Sequence, residues 1–186
     1  FGGHRDTPVP GTCGAVTIDG RRAMAVEIQS LIAKATTPSP RRGVNGLDSS
    51  RVAMLLAVTE QAADLTVAGQ DVFVATVGGA RLTDPATDLA VCIALASAAW
   101  GTPMPPDVAV VGEVALSGDI RPVSFMDQRI AEAARLGYER LLVPKGSRRG
   151  AAPPSLHIVE VSHLNVALNR LRDLARAADS ARVPKP

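Results

Sequence analysis

Aromatic side chains are scarce: three Phe, one Tyr and one Trp among 186 residues. The core must therefore be built from Ala, Val, Leu and Ile, and small side chains require closely spaced elements. Cysteine is scarcer still, with Cys13 and Cys92 far apart and neither a C-x-x-C nor a histidine at ligand spacing. That excludes a zinc site and a disulfide framework and leaves two buried, inert thiols. No G-x-x-x-x-G-K-[ST] occurs, and Gly2-Gly3 and Gly78-Gly79 lack the spacing of a phosphate loop, so ATP hydrolysis by this chain is not expected. His4, His157 and His163 form no H-E-x-x-H and no G-x-S-x-G is present, so the histidines read as surface or cap residues. There is no basic-then-apolar leader and no apolar run of membrane length. A cytoplasmic piece of a longer protein is the expectation.

What is present is ordinary for a soluble globule: 46% hydrophobic residues, 20% charged residues and a net charge of +2. One domain is expected at this length. The cations are unequal, because all but Lys34, Lys145 and Lys185 of the 20 are arginine. Arginine suits bidentate contacts with phosphate, and it is equally what a biased coding composition gives.

The stretch Gly78–Gly101 organises the rest. Asp84 can accept from free amides as N-cap, Pro85 suits the first helical position, and Gly101 can close the far end. Between them the apolar residues run all round, which predicts a helix covered on every side. Only its first turn, Asp84 to Asp88, is then free to meet a ligand. The negative charge of Asp84 and Asp88 disfavours a phosphate there, despite the positive end of the helix.

Residues 1–12 read as a linker, 13–178 as the domain and 179–186 as a flexible tail, with fraying from Ser180. AVTID and MAVEIQSLI predict two antiparallel strands joined at Asp19–Arg22. A cationic loop with Lys34, Arg41 and Arg42 and no acidic residue follows. A long helix is then opened by Asp48 or Ser49, with Val52, Leu55, Leu56, Val58 and Leu65 on its apolar face. DVFVATV is a buried strand leading to the Gly78-Gly79 turn. MPPDVAVVGEVALSGDIRPV predicts a three-strand meander broken at Gly112, with its hairpin corner at Gly118-Asp119. Ser124 is the expected cap of a helix with Met126, Ile130, Ala133 and Leu136 inside and Asp127, Arg129, Glu132 and Arg135 outside. ERLLVP and LHIVEV are strands flanking a second basic loop with Lys145, Arg148 and Arg149, and a last helix starts at Ser162. The tally is an α/β or α+β mixed sheet with three to four helices.

The order of elements, with PRRGVNGLDSSRVAMLLAV, DVFVATVGGARLTDPATDLAVCIALAS, VGEVALSGDIRPV and DQRIAEAARLGYERLLVPK, resembles the C-terminal Lon-protease-like domain of the RadA (Sms) family of bacterial DNA-repair and recombination ATPases. The likeness runs from Cys13 to about Leu171. Active Lon peptidases carry a Ser-Lys dyad, the Ser after a proline at the start of the central helix and the Lys on the helix after the Leu-x-Gly hairpin. Pro85 matches that proline, Ala86 falls at the serine and Asp127 at the lysine, so the dyad is vestigial and peptidase activity is expected to be absent. Thr87 is no substitute, because one residue along a helix turns the side chain by about 100°.

The resemblance further implies a homo-oligomeric, six-membered ring, single-stranded or branched DNA as ligand and a RecA-type recombinase as partner. It also implies a missing upstream motor and zinc finger that would hold ATP, Mg and Zn. The expected DNA contacts are Arg41, Arg42, Arg148 and Arg149, with Lys34, Arg51, Arg81, Arg121 and Lys145 behind them. For Arg51, Arg81, Arg121 and Arg129 the alternative is an ion pair with Asp48, Asp84, Asp119 or Asp127. With few aromatics available for stacking, the contact is expected to be electrostatic and salt-dependent. An active Lon-like serine peptidase and an oligomerisation scaffold without nucleic-acid affinity remain the two other readings.

Overall fold

Alternation sorts the strand residues onto two faces of one sheet. The structure is a computed structural model that describes residues 7–147 and 149–182; His4, Arg148 and Lys185 lie outside the described residues. In chain order the elements are β1 (Thr12–Asp19), β2 (Arg22–Lys34), β3 (Arg42–Asn45), α1 (Ser49–Ala63), β4 (Gln70–Thr76), α2 (Asp88–Trp100), β5 (Val108–Val110), β6 (Glu113–Val114), β7 (Ile120–Arg121), α3 (Met126–Arg135), β8 (Arg140–Pro144), β9 (His157–Val161) and α4 (Leu164–Arg182). Seven strands form a mixed sheet in the order β3-β4-β2-β1-β5-β8-β9, and β6 and β7 pair separately. Ala15, Val110 and Leu142 pack with α1, α2 and α4, while their neighbours Val16, Ala109 and Leu141 pack with α3. This period of two puts three helices on one face and α3 on the other.

Helix α2 is the buried centre, as its all-round apolar pattern predicts. Every residue from Asp88 to Ser97 is buried, with α1, α4, β1, β2, β5 and β6 around it. Leu89, Ile93 and Leu95 are each almost wholly removed from water, worth about 1.5–3 kcal/mol apiece before the entropy of ordering them. Gly101 ends the helix in the left-handed region at φ 64. The Asp19–Arg22 hairpin between β1 and β2 is also as expected.

Several local expectations fail for identifiable reasons. The first basic loop is partly a strand, since Arg42–Asn45 pairs in parallel with β4. Helix α1 takes Asp48 as its cap and stops before Leu65, with Asp64 in the left-handed region. Val108–Val110 does not form a meander with β6, because it pairs in parallel with both β1 and β8 in the main sheet. Ser124 does not cap α3: Phe125 occupies the cap position without a side-chain bond, and the Ser124 carbonyl accepts from Arg129 instead. Helix α4 starts at Leu164 rather than Ser162 and continues past Ser180 to Arg182. Among the described residues, no helix is long and apolar enough to cross a membrane.

Candidate functional site at the start of the central helix

Two carboxylates define the entry to α2. Asp84 caps a 3₁₀ turn over Pro85–Thr87 by accepting from Ala86 N through Oδ1 at 3.1 Å. Its Oδ2 accepts from Ile18 N at 2.9 Å, Thr17 Oγ1 at 3.2 Å and Arg129 Nη1 at 2.7 Å. Burial pulls the Asp84 carboxyl upward, but Arg129 and the amides of Ala86 and Ile18 outweigh it and hold the group below the usual carboxylate range. Arg129 is only 1% exposed. Its Nη1 also donates to Val16 O at 2.7 Å and its Nε to Ser124 O at 2.9 Å, so one guanidinium ties β1, the 3₁₀ turn and the start of α3 together.

Placing Arg129 on the outer face of α3 is therefore corrected. Met126, Arg129, Ile130 and Ala133 are all buried and follow the i, i+3, i+4, i+7 spacing of one helix stripe. That spacing is visible in the sequence, but a charged residue is rarely assigned to the inward face.

Asp88 accepts from Arg51 Nε at 3.0 Å, from Arg51 Nη2 and from Val114 N at 3.1 Å. Burial dominates and pushes its carboxyl up, the Arg51 and Val114 hydrogen bonds opposing it. Glu113 Oε1 lies 3.8 Å from Arg51 Nη2. These groups wall a cleft of about 430 Å³ whose apolar side includes Leu47, Val52, Leu55 and Val91.

Between the two carboxylates Ala86 is completely buried. Gly112 N donates to Ala86 O at 2.9 Å, and Leu89 N donates to Gly112 O at 3.1 Å. Only glycine permits this approach, since a Cβ at position 112 would stand 2.7 Å from Ile120 Cγ2. The Thr87 hydroxyl is buried and donates to Asp84 O at 2.8 Å. Asp127 is exposed and accepts from Gly150 N at 2.7 Å in the second basic loop. The two positions that the resemblance matches to a Ser-Lys dyad thus carry a methyl group and a carboxylate already used by a backbone amide. Buried desolvation pushes the Cys92 thiol up to about 12 and the Cys13 thiol upward too, so neither offers a thiolate at neutral pH. Among the described residues no three His, Cys, Asp or Glu side chains could hold a metal ion. His157 is exposed, and His163 bonds to Asn165 Oδ1 at 2.8 Å and Ser117 O at 3.0 Å.

The sequence-predicted arginines do not converge. Strand directions put Lys34 at the end of β2 and Arg41 and Arg42 at the start of β3, all beside the start of β4. Arg51, Arg81, Arg121, Lys145 and Arg149 lie toward the opposite end, where β1, β5, β8 and β9 finish. The seven residues of β4 separate the two ends by about 20 Å. The acid-free character of the first loop holds along the chain but not in space. Arg41 Nη2 lies 2.9 Å from the buried carboxylate of Asp71 and its guanidinium stacks 5.8 Å from the Phe73 ring. Hydrogen bonds from the Arg41 backbone and then its side chain hold Asp71 below the usual range. Arg42 bonds to the carbonyls of Gln70 and Arg41, and Arg149 lies 3.8 Å from Glu160. Lys34, Arg42, Arg81, Arg121 and Lys145 form no ion pair with a described acidic side chain.

Mixed sheet, buried central helix, proline-led helix start and glycine clamp together define an α/β domain of the Lon proteolytic type. The chain belongs to the Lon protease (S16) C-terminal proteolytic domain family, whose model matches residues 50–164. The RadA likeness stated from the motifs agrees with its curated relatives. The chain is 45% identical over 172 residues to the DNA repair protein RadA of Mycobacterium tuberculosis (strain ATCC 25618 / H37Rv), covering 92% of this chain and 35% of that protein. It is 40% identical over 169 residues to the DNA repair protein RadA of Escherichia coli (strain K12), covering 91% and 37%. With the DNA repair protein RadA of Bacillus subtilis (strain 168) it shares 37% over 166 residues, covering 89% and 36%. The chain spans about a third of the length of the curated relatives it matches.

Proposed function

We propose that this chain is a catalytically silent Lon-like module that assembles as a ring and contacts DNA on behalf of a RadA-type repair ATPase. The observation that carries the silent half is the pair of dyad positions. Ala86 has no nucleophilic atom, Asp127 puts a carboxylate in place of the neutral amine and already accepts from Gly150 N, and the two arginines bonded at the helix start, Arg129 and Arg51, are committed to Asp84 and Asp88. An arginine is protonated at any working pH, so it cannot stand in for the neutral amine that activates a serine.

The DNA half rests on the names of the relatives, each a DNA repair protein RadA, and on the cations at the two ends of the sheet that have no acidic partner among the described residues. Lys34 and Arg42 form one pair, Arg121 and Lys145 the other, with Arg41, Arg51, Arg81, Arg148 and Arg149 as further candidates. The ring, the DNA structure preferred and a RecA-type recombinase partner follow from the same likeness, as do ATP, Mg and Zn in upstream domains.

Binding of a single-stranded oligonucleotide to the chain at two salt concentrations, with the mass in solution followed by light scattering, tests the assignment. The expected result is binding that weakens with salt, by a log–log slope of about 0.7 per phosphate contact, on a multimer of constant mass. Lys34→Ala/Arg42→Ala and Arg121→Ala/Lys145→Ala should each lower the slope. Absence of binding in low salt by an assembled protein would establish the scaffold reading instead.

A further inference from the structure

Twelve described residues have φ in the left-handed region, and ten of them are glycine. Asp64 is the eleventh, a short polar residue of the kind that tolerates this backbone. Phe125 is the twelfth, at φ 58 and ψ 38, and for a bulky side chain that conformation is an outlier. The surroundings hold it there: Arg129 donates from Nε to Ser124 O at 2.9 Å and from its backbone N to Phe125 O at 3.1 Å. Backbone strain fixed in this way marks a position where the side chain has a use.

The ring is available. Phe125 is 40% exposed, whereas the other described aromatics are occupied. Phe73 lies under Arg41 and Trp100 under Arg172, at 5.8 and 4.2 Å from the ring centroids, and Tyr138 is buried. Cationic side chains gather at the same end of the sheet. Ile120 N donates to Ser162 O at 3.0 Å and Lys145 N to Val161 O at 2.9 Å, which sets Arg121 and Lys145 beside the end of β9. The bond from Gly150 N to Asp127 draws the second basic loop to the first turn of α3, next to Phe125.

We propose that Phe125 is a base-stacking residue for single-stranded nucleic acid, with Arg121 and Lys145 meeting the phosphates on either side of the stacked base. The proposal rests on the DNA-contacting reading above and deepens it. It replaces a purely electrostatic contact by one that also needs bases, of any identity, because every base has a π-face. Neither cation has an acidic partner among the described residues to give up on binding, which favours a polyanion over a protein segment as the occupant.

The test compares binding of an oligothymidylate and of an abasic sugar–phosphate chain of equal length and charge to wild type, Phe125→Leu and Phe125→Trp at low salt. Wild type and Phe125→Trp should prefer the thymidylate by about five- to a hundredfold. Phe125→Leu should bind both chains alike, at the wild-type affinity for the abasic one. Independently of any variant, irradiation of wild type with a 5-iodouracil oligonucleotide should give a cross-link that maps to Phe125. Equal affinity of wild type for the two chains, a preference that survives in Phe125→Leu, or a cross-link found only elsewhere would overturn stacking while leaving DNA binding intact. A Phe125→Leu effect confined to the mass in solution would make the ring a contact between copies and would overturn it too. If wild type binds neither chain, the DNA reading itself fails and this proposal with it.

Discussion

Asp84 and Asp88 stand four residues apart at the entry to one helix and finish in opposite situations. Asp84 faces a cation that is wholly buried, on the side of α3, and accepts from two backbone amides as well. Asp88 faces Arg51, whose side chain is 34% exposed at the mouth of the cleft. The first carboxyl is held below its ordinary range and the second is pushed above it. The Asp84 side is thus the more closed one, with its carboxylate fully engaged by Arg129, Thr17 and backbone amides. The Asp88 side is open to the cleft.

The difference breaks most visibly at Arg129. Arg129→Ala leaves Asp84, Val16 O and Ser124 O without their buried partner and should lower unfolding stability by about 3–5 kcal/mol, read as a shift of the urea midpoint at constant slope. Combining it with Asp84→Asn should cost clearly less than the sum of the two single changes, because they share one network. Arg51→Ala removes a partner that water can partly replace and should cost about 1–2 kcal/mol in the same titration. Equal losses for the two arginines would erase the distinction between a closed and an open side. Phe125→Gly should act in the other direction. It relieves left-handed strain next to Arg129 and should stabilise by about 0.5–1 kcal/mol, seen as a higher Tm.

The smallest effect is in the pH dependence, and its sign differs between the two carboxylates. A group with a lowered folded pKa, such as Asp84, contributes stability that is present above the unfolded carboxylate pKa and is lost as pH falls through the folded value. Asp88 is the reverse: its raised folded pKa means that its charge costs stability at neutral pH, and that cost fades as pH falls toward the unfolded value. Asp88→Asn should therefore flatten the stability profile between about pH 7 and 4, whereas Asp84→Asn should change its slope only below about pH 4. Urea titrations at stepped pH separate the two.

Much of this arrangement is legible in the sequence, for physical reasons that are local. The Asp84 cap, Pro85 and Gly101 obey rules that act within one turn of helix, and the all-round apolar composition of α2 can only mean burial. The first hairpin is equally local. What escapes the sequence is pairing at a distance. The cationic first loop becomes β3 because β4 offers an edge, and Arg41 meets Asp71 thirty residues away. Val108–Val110 leaves its neighbours for β1 and β8. Arg129 turns inward because its partner, Asp84, arrives from another element, and Phe125 takes a glycine-like backbone with no signal in the residues beside it. Only residue-by-residue likeness to active Lon peptidases matches Ala86 and Asp127 to a Ser-Lys dyad; nothing in composition or periodicity marks either residue.

Hydrolysis of an unfolded protein substrate by the purified chain, alongside Thr87→Ala, tests the central claim most directly. No turnover above the buffer rate is expected for either protein, since the Thr87 hydroxyl is buried against Asp84 O and Ala86 has none. Turnover by wild type that disappears in Thr87→Ala would contradict it and make this domain a working peptidase with a displaced nucleophile.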